Sequence, residues 1–104
     1  MSSAAVVRVR HADLVGFVAG LFAGRGIPAD RAELAAAALC YGDLAGLSSH
    51  GVANLTRLYL PLFEQARVEP TAEPKALADT GACVLLDAGR ALGLWAASEA
   101  MDLA

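Results

Sequence analysis

Several things are scarce in this 104-residue chain, and each scarcity closes a class of function. Lysine occurs once, at Lys75, and the seven arginines are scattered, so there is no basic run to follow a phosphate backbone. Nucleic acid is therefore excluded as the expected partner. Only two cysteines are present, Cys40 and Cys83, too few for a disulfide framework or a cysteine zinc site. They read as free thiols in a reducing compartment, and no metal site is expected. The uncharged apolar stretch Leu14–Gly24 is far below the ~20 residues that span a bilayer. Arg8, Arg10 and His11 in front of it imitate a signal peptide. Asp13 at its entrance and the poor cleavage sequence Gly24-Arg25-Gly26 argue against secretion and for a cytoplasmic protein. Charged residues make up only 18% of the chain and apolar residues 57%, which excludes intrinsic disorder and implies surface that packs against something further.

What is present reads as one helix-rich α/β segment of 1–104, mainly helical over 1–66, with a hairpin and a helix over 67–104. The alternation Val6-Val7-Arg8-Val9 predicts a short strand. Leu14, Phe17, Val18, Leu21 and Phe22 then share a stripe, predicting a helix over about 11–25, ended by Gly24-Arg25-Gly26 and Pro28. Asp30 with Glu33 has the spacing of a capping box, opening a helix over about 30–45. Its expected inner stripe is Leu34, Ala37, Ala38, Tyr41 and Ala45. A third helix over about 50–66 carries Val52, Leu55, Tyr59, Leu62, Phe63 and Ala66 on one side, with a kink expected at Pro61. After Pro70 and Pro74, residues 75–87 read as a β-hairpin turning at Thr80-Gly81. A last helix covers about 91–104, and because no capping residue closes it, the chain reads as part of a larger protein.

The segment Gly42-Asp43-Leu44-Ala45-Gly46-Leu47-Ser48-Ser49-His50-Gly51-Val52 is the most informative. Ser48 or Ser49 can cap the following helix, and a helix start presents free N–H groups and partial positive charge. An uncharged imidazole there suits a general acid/base or a donor to a carbonyl oxygen, which makes His50 the candidate catalytic residue. Ser49 and His50 are neighbours in sequence, so on a helix their side chains are expected to diverge. Asp43 reads as a capping or exposed carboxylate. Gly89-Arg90-Ala91-Leu92-Gly93 resembles a phosphate loop, but it lacks the full glycine spacing and a Walker lysine, so it reads as a strand-to-helix turn. Trp95 and Met101 read as core or interface residues.

Taken in order, Gly26-Ile27-Pro28, Asp43-Leu44-Ala45-Gly46, Ser49-His50-Gly51-Val52, Tyr59, Glu73-Pro74, Leu86-Asp87, Gly89, Leu92-Gly93 and Ala100-Met101 resemble the N-terminal part of the type-2 malate/L-lactate dehydrogenase family. That family, whose fold is not a Rossmann fold, also includes ureidoglycolate dehydrogenases and cyclic-imine reductases. The resemblance implies hydride transfer between NAD or NADP and a 2-hydroxy/2-oxo acid in a cytoplasmic homodimer, with no membrane or nucleic-acid partner. It implies catalytic roles for His50 and Ser49 and substrate binding near Asn54 and Arg57. Many members carry aspartate where Ser48 stands and arginine where Asn54 stands. Arg57, about 10 Å along a helix from His50, is the available substitute. A second histidine and most of the nucleotide-binding part come later in the family's sequences, so the resemblance implies that this segment alone is inactive, with no cofactor-binding residue identifiable in it. The competing reading is a non-catalytic helical interaction or dimerisation module.

Overall fold

The computed structural model describes residues 7–104. Its elements follow the sequence punctuation closely. Helix α1 spans His11–Ala23 and α2 spans Ala29–Leu44. A 3-10 turn covers Ser48–His50, and a π-helical turn, Leu55–Tyr59, runs directly into α3, Leu60–Glu64. Strands β1, Lys75–Asp79, and β2, Val84–Asp87, pair antiparallel, and α4 spans Gly93–Leu103. The helix-rich α/β architecture with a hairpin at 75–87 is therefore the one observed. The expected N-terminal strand is not: residues 7–10 form no regular element, and Val6 lies outside the described residues.

The chain leaves α1 through Gly26, whose φ of 99° is left-handed and whose missing side chain lets Pro70 approach: a Cβ there would lie 3.3 Å from the proline ring. Helix α2 then starts earlier than the capping box implied. Pro28 occupies the N-cap position, and the Asp30 carboxylate accepts the N–H of Arg31 within the first turn. Proline serves here because its fixed φ enters a helix without strain and its lost N–H is not missed.

The inner face of α2 also differs from the expected stripe. Ala32, Ala35, Ala36, Leu39 and Cys40 are buried, whereas Ala37 and Tyr41 face solvent. Alanines surround the whole helix, so the stripe was ambiguous by periodicity; the larger Leu39 and Cys40 select the buried side. Small residues on that side let α1 and α4 approach closely. Val18, Ala19 and Phe22 of α1 and Leu92 and Trp95 at α4 complete the core with Leu55, and Phe22 meets Phe63 at a ring separation of 6.0 Å. Phe17, expected inside, is 64% exposed, and Met101 is exposed as well.

Arg31 ties these elements together. Its Nε and Nη2 donate to the two carboxylate oxygens of Glu99 at 2.8 and 3.1 Å, and Nη1 donates to Glu73 at 3.0 Å and to the Ala72 carbonyl at 3.1 Å. The same guanidinium lies 4.1 Å from the centre of the Trp95 ring. Hydrogen bonds to Glu99 and then Glu73 raise its already high pKa further, so it is a permanent cation. It joins α2 to α4 and to the segment before β1, a role that planar bidentate geometry suits and lysine cannot copy. The Trp95 Nε1–H is buried without a partner among the described residues, a cost that the cation over the ring offsets.

The hairpin stands away from this core. Every residue of β1 and all but one of β2 are exposed. Asp79 accepts the N–H of Gly81, and Thr80 and Cys83 bond across the turn, so the loop holds its own shape.

At the other end of α2, two glycines position the segment around His50. Gly42 is buried, and a Cβ on it would collide with the His50 carbonyl group. A Cβ on Gly51 would collide with the Asp43 carboxylate. Gly46, at φ 81°, turns the chain between them, and the Leu47 N–H donates to the Gly42 carbonyl at 2.7 Å. The backbone of His50 thus rests directly on the helix.

Two outcomes follow from these contacts. Arg31→Ala should destabilise the chain by about 2 kcal/mol, since it removes several charge-assisted hydrogen bonds while the freed carboxylates can still reach water. Thermal denaturation followed by Trp95 emission reads this, and Arg31→Lys should recover only part of it. Gly42→Ala should cost about 2 kcal/mol or more, because backbone must move to admit the methyl group. Its backbone NMR shifts should concentrate in 42–57, and a variant as stable as the parent with unmoved shifts would contradict the close contact.

Candidate active site

The chain reaches His50 by leaving α2 after Leu44 and doubling back to Gly42. The Gly46 N–H donates to the Asp43 carbonyl at 3.0 Å and the His50 N–H to the Leu47 carbonyl at 2.9 Å, closing the 3-10 turn. His50 is therefore the last residue of that turn and not the first of a helix, as expected from the sequence. The helical stretch starts after Gly51, whose extended backbone separates the two. Its cap is also different. The hydroxyls of Ser48 and Ser49 accept no backbone N–H there; the Asp43 carboxylate accepts the Val52 N–H at 2.7 Å from nine residues upstream. Asp43 has the capping role allowed for it, and it serves the helix that carries Asn54 and Arg57.

Because Ser49 and His50 sit in a 3-10 turn, their side chains do not diverge. Ser49 Oγ lies 2.9 Å from His50 Nδ1. The hydroxyl can donate to Nδ1, leaving Nε2–H as a proton donor, or accept from Nδ1–H, leaving Nε2 as a base. Both residues are exposed, so the free Nε2 edge can meet a ligand. The pair is not a nucleophile triad. Asp43, the nearest carboxylate in sequence, bonds Val52, so no acid orients the imidazole for a serine attack.

Asn54 and Arg57 are brought to the same turn. Asn54 Nδ2 donates to the Ser49 carbonyl at 2.9 Å, and Arg57 Nη2 donates to Asn54 Oδ1 at 2.6 Å. The four candidate residues thus form one connected polar strip: His50, Ser49, Asn54, Arg57. Part of the reason lies in Pro61. It has no N–H to give the Arg57 carbonyl, and the helix widens just upstream into the π turn, with the Leu60 N–H bonding the Leu55 carbonyl. Arg57 sits in that widened turn.

Behind the turn lies a groove of about 470 Å³ whose lining includes His11, Cys40, Asp43 and Val52. Cys40 is buried, and burial, then the Asp43 charge, raises its thiol pKa, so it stays protonated and unreactive. No group of three metal-ligating side chains occurs among the described residues. In the Gly89 turn the Gly89 N–H goes to the Asp87 carboxylate and the Ala91 N–H to the Ala88 carbonyl. Sequence reasoning passed over Gly42 and its contact with His50. The signal available was a glycine pair, Gly42 and Gly51, bracketing the serine–histidine motif.

Comparisons with known proteins bear on the family of the chain and on its fold. The malate/L-lactate dehydrogenase family matches residues 9–104. Hydroxycarboxylate dehydrogenase B of Escherichia coli (strain K12) is 34% identical over 90 residues, covering 86% of this chain and 25% of the relative. Among solved structures, malate dehydrogenase from Pyrococcus horikoshii OT3 superimposes with a TM-score of 0.88 at 28% identity, over 94% of this chain and 28% of that one. A dehydrogenase from Sinorhizobium meliloti does so with a TM-score of 0.81 at 32% identity, over 93% of this chain and 30% of that one. The chain spans about a quarter of the length of the curated relatives it matches. It belongs to the malate/L-lactate dehydrogenase family.

Proposed function

We propose that this chain supplies the proton-transfer and carboxylate-binding side of an NAD- or NADP-dependent oxidoreductase that interconverts a 2-hydroxy acid and a 2-oxo acid. The observation that carries the reading is the polar strip itself: an exposed imidazole paired with a serine hydroxyl, and an arginine on the same strip. A 2-hydroxy acid presents a hydroxyl hydrogen and a carboxylate on adjacent carbons, so it needs a base and a cation side by side.

In oxidation, His50 Nε2 takes the proton of the C2 hydroxyl while the C2 hydride leaves. In reduction the imidazole returns that proton to the C2 oxygen. Ser49 Oγ accepts the Nδ1–H, which leaves Nε2 free as the base and holds the ring in place when it becomes the imidazolium. Arg57 receives the carboxylate and sets C2 against the imidazole. The nicotinamide, when bound, accepts or gives the hydride; His50 and Ser49 are the residues here that would border it. Two amides of the Gly89 turn, those of Gly89 and Ala91, already have acceptors within the chain.

The reading extends to a cytoplasmic homodimer. Support comes from the family and from the exposed apolar side chains Tyr41, Leu44 and Leu47 at the end of α2, a surface suited to burial in an assembly. No helix among the described residues is long and apolar enough to cross a membrane.

Steady-state kinetics of a complete polypeptide carrying this segment, with malate, lactate and their 2-oxo partners, test the assignment. His50→Ala should lower kcat/KM by roughly 10²–10⁴-fold, the range for a lost general acid/base. His50→Asn keeps a hydrogen-bonding group but moves no proton, so it should hold KM and lose kcat. Unchanged kcat and KM in His50→Ala would refute the role and leave the turn as a structural element.

A further inference from the structure

Asn54 stands between the Ser49–His50 turn and Arg57, half-buried, with both ends of its amide engaged. Few side chains could take its place. An aspartate could accept from Arg57 but could not donate to the Ser49 carbonyl, and it would neutralise the cation. A second cation there would repel Arg57. A primary amide gives and accepts at once and leaves the charge of Arg57 uncompensated.

Arg57 itself has five N–H donors, and one of them goes to Asn54. No acidic side chain among the described residues pairs with it: the ion pairs among those residues are made by Arg10 and Arg31. The guanidinium is thus held at one corner and keeps an open fork. Ordering a free arginine costs side-chain entropy, and the bond to Asn54 meets part of that cost before any ligand arrives.

Building on the dehydrogenase reading above, we propose that Asn54 is a positioning residue that never touches substrate: its amide fixes the Arg57 guanidinium to the Ser49–His50 turn, and so sets the distance between the carboxylate-binding cation and the imidazole. The group recognised is the carboxylate of a small 2-hydroxy or 2-oxo acid, held by Arg57. The effect of Asn54 reaches the ligand only through Arg57.

The test is a titration of this chain with lactate, and with lactamide as the uncharged control, followed by NMR at the Arg57 Nε–H. Lactate should shift this signal saturably and lactamide should not. Asn54→Ala should weaken lactate binding roughly tenfold, the size of one lost charge-assisted hydrogen bond, with Trp95 emission unchanged. Arg57→Ala should abolish the binding, and the double variant should be no worse than Arg57→Ala alone, because Asn54 acts only through Arg57. Asn54→Asp, which keeps the contact with Arg57 but neutralises it, should leave the Arg57 signal ordered and remove its response to lactate. An unshifted Arg57 signal in the parent chain, or lactate affinity unchanged in Asn54→Ala, would overturn the proposal. A complete polypeptide that binds lactate in this way yet transfers no hydride would instead refute the dehydrogenase reading and leave the Asn54–Arg57 coupling standing.

Discussion

The contact between the bare Cα of Gly42 and the carbonyl of His50 is the constraint on which the candidate site depends. It brings the backbone of the turn closer to α2 than any side chain would allow. That closeness lets the Asp43 carboxylate, one residue along the helix, reach forward over Gly51 to the Val52 N–H. Once Val52 is anchored, the following helix leaves in a fixed direction, and Asn54 comes within hydrogen-bonding distance of the Ser49 carbonyl. Each step requires the one before it. Glycine is needed at 42 and 51 for lack of a side chain, and aspartate at 43 for its short reach and charge.

Helix α2 carries both the scaffold and the site, and keeps them apart. Arg31 lies in its first turn and Gly42 near its last, about 16 Å away along the axis at 1.5 Å per residue. Arg31 gathers α4, Glu73 and the ring of Trp95 and is largely buried. The turn and helical stretch packed against the other end present exposed serine, histidine and arginine side chains. Stability therefore rests on α2 through Arg31, and the candidate chemistry on the turn and helix packed against its far end. A site on exposed side chains can stay polar because the core, built on alanine, leucine and a single tryptophan, does not need those groups.

Much of this was legible in the sequence because the punctuation is strong. Gly24-Arg25-Gly26 with Pro28, the break around Gly46, and Thr80-Gly81 each mark a boundary that the structure keeps. The inner face of α2 was not legible, since alanine on every side removes the contrast on which periodicity depends. The cap at Pro28 was obscured by Asp30 and Glu33, which fit a capping box two residues later. The relation of Ser49 to His50 was misread for a further reason. A helix separates consecutive side chains, but a three-residue 3-10 turn ending in an extended glycine lets them meet. The Arg31 network joins residues 41 to 68 positions apart and left no local pattern to read.

The central claim is that this turn and its following helix bind a 2-oxo acid by its two ends. The most direct measurement is a structure of the complete polypeptide with a 2-oxo acid bound. The account predicts the carboxylate on the Arg57 guanidinium, the C2 oxygen within about 2.6–3.2 Å of His50 Nε2, and Asn54 out of contact with the ligand. A 2-oxo acid bound with its carboxylate on another cation, and with His50 turned away from the C2 oxygen, would contradict it.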